Sequence, residues 1–284
     1  MFMTTGPQTK AGYQSEKESA PLGSQDHNST GSTGRVGNVS DAAMKEFQLR
    51  LLPLVNGIRK YHQHEVFGLD QIPNRGPVIV ACNHSLATYD MMLLMAAVFL
   101  KSHRQPRALI DRAFYKVPGL GNIMEHMGCI IGSHENAHKL LSDGNTLYLA
   151  PGGMRESLRP STERYQIRWN DRKGFARLAI ETGTPIMLAA CPSADDIFTV
   201  YENSVTKWFY KSFKLPVVIA RGVGPSLLPK PVKLTHYLSK PIYPPKKKDD
   251  PAAFKRQVFN FHRRLVKEMK AMIETGLVEK QDES

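Results

Sequence analysis

Short apolar runs recur along this chain at strand length, and amphipathic stretches of helical length separate them. That alternation constrains the fold more than any other feature, because a βαβα succession builds a parallel sheet covered by helices. Segments 78–82, 107–110, 129–131, 146–150 and 185–191 read as buried strands. Helices are expected between them at 88–101, 113–127, 135–142 and 171–182, with one more strand at 232–237 and a closing helix at 251–273. The fold class is therefore α/β: a single-domain sandwich with a largely parallel sheet flanked by helices. With 284 residues, 41% of them apolar, the chain is long enough to bury such a core.

The flanks differ in character. Residues 1–40 are rich in Gly, Ser, Thr, Asn and Gln and carry three basic and three acidic side chains, a composition expected of a disordered polar tail. Over 41–64 an amphipathic helix is expected, since Met44, Phe47, Leu51, Leu54, Ile58 and Tyr61 recur at helical spacing behind Ser40 or Asp41 as cap. Pro53 is expected to kink or interrupt it. The main domain follows over 65–245, and a basic helical segment, 246–284, packs on it or extends it. The longest strongly apolar run, 91–100, is half of the roughly 20 residues a membrane span needs, and no hydrophobic signal core precedes it. Cys82, Cys129 and Cys191 are too widely spaced for a disulfide framework or a zinc site, which fits a reducing, cytosolic compartment. Cys82 reads as a buried strand residue rather than a reactive thiol.

Two stretches carry chemistry. ACNHSLATYDMMLLM, 81–95, places Asn83 and His84 at the end of a buried strand and Asp90 at the start of an apolar helix. Strand ends in open α/β sheets are where such folds build their sites. With His84 in the connecting loop and Asp90 in the first helical turn, the carboxylate can orient the imidazole as a general base. The competing reading is an N-cap aspartate near an incidental histidine. The second stretch, TLYLAPGGMRESL at 146–158, runs a strand into Gly152 and Gly153 and then Arg155 and Glu156. Glycines let the backbone approach a substrate, and the arginine supplies positive charge for a phosphate or an oxyanion. An ordinary strand-ending turn with a solvated arginine would look similar.

Together the two stretches resemble the glycerolipid, or lysophospholipid, acyltransferases. That family has Asn-His, four residues, then Asp; a third motif typically Pro-Glu-Gly-Thr-Arg-Ser; and a later Pro in an apolar strand. Asn83, His84 and Asp90 match the first with one extra intervening residue, Pro151 to Ser157 match the third with Gly152 in the glutamate's place, and Pro185 matches the last. The second motif falls on Gly128 to His134, with His134 at its arginine. The wider His-to-Asp gap, the Pro-Gly-Gly-x-Arg-Glu run, RKGFARLAIETGTPI (172–186) and KWFYKSFKLP (207–216) are similar to the branch containing transmembrane protein 68, diacylglycerol acyltransferases and plant phytyl ester synthases. The resemblance implies acyl transfer from an acyl-CoA or acyl-carrier-protein co-substrate to a lipid hydroxyl. His84 would be the base and Asp90 its partner, and Asn83, His134, Gly152, Gly153, Arg155, Glu156 and Lys173 would lie toward substrate. No cofactor is expected, and His126, His134 and His138 lack a carboxylate set for a metal. The altered motifs favour a neutral acceptor (diacylglycerol, monoacylglycerol or a fatty alcohol) slightly over a lysophospholipid or glycerol phosphate, although Lys173 and Arg177 could replace the missing charge.

Net charge points to partners. The formal charge is +12, and segment 246–270 supplies nine basic residues against three acidic ones, half of that excess. Its stripe of Phe254, Val258, Phe261, Leu265 and Met272 suits docking on the domain, leaving Lys255, Arg256, Arg263, Arg264 and Lys267 either simply solvated or drawn to anionic lipid. The aromatic and lysine cluster at 207–214 is a second membrane candidate, with core packing as its alternative. The resulting expectation is peripheral attachment to the cytoplasmic face of a membrane, with no nucleic acid as partner. A nucleic-acid-binding module leaves both motifs unexplained, and a serine hydrolase lacks its Gly-x-Ser-x-Gly elbow. A catalytically silent lipid-binding relative is the remaining rival.

Overall fold

The computed structural model describes residues 38–201 and 219–282. All but the last three residues of the expected polar tail, and the aromatic cluster at 207–214, lie outside the described residues. The described residues belong to one compact unit.

A seven-stranded sheet organises the unit. In chain order the strands are β1 (Glu65–Phe67), β2 (Val78–Cys82), β3 (Pro106–Ile110), β4 (Cys129–Ile131), β5 (Thr146–Leu149), β6 (Ile186–Ala190) and, after a separate two-stranded antiparallel ribbon of β7 (Thr199–Tyr201) and β8 (Ile219–Arg221), β9 (Thr235–Leu238). Their spatial order is β1-β9-β6-β2-β5-β3-β4. Five strands, from β6 to β4, run parallel, while β9 is antiparallel to β6 and parallel to β1. The α/β sandwich with a largely parallel sheet is thus what the chain forms.

β2 shows why. It lies fourth of seven, and all five of its residues are buried, so a continuous apolar run replaces the alternation of a half-exposed strand. Val78, Val80 and Cys82 pack with Met91, Leu94, Met95 and Val98 of α2 (Tyr89–Ser102). On the other face Ile79 and Ala81 join the cluster formed by α4 (His134–Ser142), α6 (Gly174–Thr182) and α7 (Pro251–Asp282). The apolar stripe of α7 docks as its periodicity requires, with Val258, Phe261 and Leu265 buried.

Several local expectations are corrected. α1 (Asp41–Tyr61), capped by Ser40 Oγ on the Ala43 N–H, runs through Pro53 without interruption. Packing of Leu51, Val55 and Ile58 against Leu93, Cys191 and Ile197 outweighs the one backbone bond that proline removes. The helix expected over 113–127 divides at Pro118-Gly119 into a 3-10 turn, Arg112–Lys116, and α3 (Leu120–His126), with Gly119 at φ +78°. The strand expected at 232–237 lies at 235–238, α6 starts three residues later than expected, and α7 continues nine residues past 273. The three-residue strands β1, β7 and β8 carry no apolar run, and only their partners define them. Among the described residues, no helix is long and apolar enough to cross a membrane.

Candidate active site

The central strand delivers the first motif to the sheet's C-terminal end. Asn83, buried at the end of β2, accepts the Cys191 N–H at its Oδ1 (2.8 Å) and donates from its Nδ2 to the Cys191 carbonyl (3.1 Å). A side-chain amide that satisfies both groups of one peptide clamps the end of β2 to the end of β6. His84 follows at the site's centre. Its Nδ1 lies 2.9 Å from the carbonyl of Ser85. A carbonyl only accepts, so Nδ1 carries the proton and the neutral ring keeps its lone pair on Nε2. Burial lowers the pKa of His84 below its ordinary value, against the Ser85 carbonyl and the Asp90 charge, which raise it, while Arg159 lowers it further. The ring is therefore neutral at pH 7 and in the tautomer that a base requires.

Asp90, 1% exposed in the first turn of α2, does not hold His84 directly. Its Oδ1 accepts from Ser85 Oγ, and its Oδ2 lies 3.5 Å from His236 Nε2. The 3-10 turn Leu86–Thr88 between the two motif residues presents Ser85, not His84, to the carboxylate. Ser85 thus links them, giving its hydroxyl to Asp90 and its carbonyl to His84. Burial opposes ionisation of Asp90, but the His236 and Ser85 contacts outweigh it and hold the pKa below the usual carboxylate range.

The glycine motif follows β5. Gly153, at φ +55° and ψ −156°, occupies backbone space essentially restricted to glycine, and opens the single turn α5 (Met154–Ser157). Its N–H donates to the Ala150 carbonyl (3.1 Å). Gly152 has a different reason: a Cβ there would collide with the Glu156 carboxylate. Glu156 is fully buried. Its Oε1 accepts the His84 N–H (2.8 Å) and its Oε2 the Arg168 N–H (3.0 Å). The carboxylate that the family's third motif carries at position 152 is absent, and Glu156 fills that space from four residues further on. Desolvation raises its pKa to about 7, against the two N–H groups and Arg159.

The remaining expected residues separate. Arg155 is exposed, with no polar side-chain partner among the described residues. Lys173 pairs with Asp171 (3.1 Å) and sits over the Phe259 ring. His134 pairs with Glu181 (2.8 Å) near the C-terminal end of α6. Missed from the sequence were Ser85, Arg159, Asp195 and His236. Arg159, 5% exposed, donates to the carbonyls of His84 and Glu156 (both 3.1 Å) and to Asp195. Tertiary neighbours alone reveal such roles, although a histidine inside an apolar strand at 236 was a legible signal.

Residues 63–191 match the Acyltransferase family model. Over 188 residues the chain is 33% identical to a Bos taurus protein named "DGAT1/2-independent enzyme synthesizing storage lipids", covering 66% of this chain and 54% of that one. A Homo sapiens protein of the same name is 31% identical over 183 residues, 64% of this chain and 54% of the relative. The chain thus spans about half the length of these relatives. The crystal structure of the 1-acyl-sn-glycerophosphate acyltransferase PlsC from Thermotoga maritima aligns at a TM-score of 0.48 and 16% identity, over 81% of this chain and 80% of that one. Asn83, His84, Asp90 and the Gly152 turn all fall inside the matched region, so 63–191 is similar to the Acyltransferase family in the part of the chain that builds this site.

Proposed function

We propose that this protein transfers a fatty acyl group from an acyl-CoA or acyl-carrier-protein thioester to a lipid hydroxyl. The supporting observation is the fixed tautomer of His84, neutral with Nε2 unprotonated at the end of the central strand. Nε2 takes the hydroxyl proton as that oxygen attacks the thioester carbonyl. Collapse of the tetrahedral intermediate expels the thiolate, which recovers the proton from Nε2. Arg155, exposed and without a partner among the described residues, is the group available to a donor phosphate or an oxyanion. Asp90 supports the base through Ser85.

A neutral acceptor is favoured. The basic residues that could replace the second-motif arginine are engaged: Lys173 with Asp171, and Arg177 with Glu181 (2.8 Å) and the Phe254 ring. The storage-lipid names of the relatives agree with that choice. Labelled oleoyl-CoA offered with diacylglycerol, monoacylglycerol, a fatty alcohol and lysophosphatidate separates them. Ester formation is expected from a neutral acceptor, and His84→Ala should lower its rate by about 10²–10⁴-fold. Near-normal transfer by that variant would falsify the assignment, and turnover of lysophosphatidate alone would reverse the acceptor. The lipid partner implies a membrane surface, approached from the cytoplasmic side and held by the exposed basic face of α7.

A further inference from the structure

Behind Asp90 the structure holds a polar chain that the acyl-transfer scheme does not use. Arg59, near the end of α1, donates through Nε to Nδ1 of His64 (3.0 Å), and His64 Nε2 meets His236 Nδ1 at 2.9 Å. His236 Nε2 then faces Asp90 Oδ2 at 3.5 Å. His64 is 8% exposed and His236 and Asp90 1% each, so the chain crosses the interior. Its outer end opens on a surface cleft of about 600 Å³, lined by Arg59, His64, Phe67, Leu69 and Lys101 among others.

The hydrogen positions follow from the ends. A guanidinium can only donate, so His64 accepts at Nδ1 and carries its proton on Nε2. That proton faces His236 Nδ1, which must accept, so the His236 proton lies on Nε2 and points to Asp90. Both hydrogen bonds are polarised in one direction, from a fixed cation toward the buried carboxylate, which His236 Nε2 faces at 3.5 Å, beyond hydrogen-bond length. Asp90 keeps its charge beside His236 at one oxygen, and Ser85, fixed on its other oxygen, carries the carbonyl that sets the His84 tautomer. We propose that His64 and His236 are positioning residues for acyl transfer, a two-imidazole relay that keeps Asp90 ionised and so holds the Ser85 carbonyl on His84. The inference rests on the reading of His84 as the base. Other titratable groups facing this chain are His62 at the end of α1, Cys82 on β2 and Cys191 after β6.

The test uses the full chain with oleoyl-CoA and the acceptor found active. His64→Leu, remote from substrate, is expected to lower kcat about tenfold with KM unchanged, and to move the acid limb of the pH profile downward, because Asp90 then protonates more readily and its charge no longer raises the His84 pKa. His64→Gln, which keeps an amide able to accept from Arg59 and donate to His236, should restore most of kcat and the limb. Should His64→Leu fail to fold, His236→Gln, which keeps a donor toward Asp90, is compared with His236→Leu by the same readouts. A His64→Leu enzyme with wild-type kcat and acid limb, or one that loses only thermal stability, overturns the relay. If His84→Ala also keeps activity, the base assignment has failed; if it is inactive while His64→Leu is normal, the relay alone has failed.

Discussion

Glu156 ties the glycine turn to the loop that carries His84. It accepts the backbone N–H groups of His84 and Arg168, and Gly152 is small because that carboxylate needs the space. Gly152→Ala should displace the Glu156 side chain and destabilise the protein by about 1–3 kcal/mol. Adding Glu156→Ala to that variant should then cost less than it does in the wild type, a coupling that thermal denaturation can read. Additive losses would separate the two residues. The pH dependence has a definite sign. Glu156 titrates near 7 in the fold and near 4.5 outside it, so its stabilising share is full below about pH 4.5 and is lost as pH rises through 7. Glu156→Gln cannot titrate, so its deficit in Tm relative to wild type should shrink between pH 5 and 8. A constant deficit would place the titration elsewhere. For His84 the lowered pKa predicts an acid limb of kcat/KM below pH 6.5.

α7 separates packing from charge within one element. Leu265 and Met269 are fully buried against the sheet, while Arg263, Arg264 and Lys267 are exposed. Leu265→Ala should cost about 2–5 kcal/mol, since the cavity lies in a packed cluster. Replacing Arg263 and Lys267 by Ser should change stability by only about 0.5 kcal/mol or less each while weakening attachment to anionic vesicles. Equal binding of the variant and wild type would remove α7 as the lipid-facing element. α1 shows the reverse balance, where a helix propensity broken by Pro53 is overridden by contacts made far along the chain.

At the scale of the molecule, the topology gathers distant segments at one edge of the sheet. β2, β5 and β6 run parallel, so their C-terminal ends bring Asn83, His84, the Gly152 turn and Cys191 together. The charge of +12 acts at the same scale. Flotation with anionic vesicles should show binding that falls as salt rises, because screening shortens electrostatic reach to about 10 Å at 0.1 M. Binding insensitive to salt would assign the attachment to apolar contacts instead.

Apolar runs of strand length and the helical stripes between them determined the α/β sandwich, because burial on both faces of a parallel sheet writes itself into local sequence. The catalytic loop and the glycine turn were legible for the same local reason: their motifs are contiguous. What only the tertiary structure decided is how those motifs are wired. Ser85 rather than His84 meets Asp90, Glu156 turns inward, His134 leaves for Glu181, and His64 and His236 arrive from segments 172 residues apart. A buried polar group takes whichever partner the packing brings within hydrogen-bond reach, and that choice depends on contacts that no local pattern records.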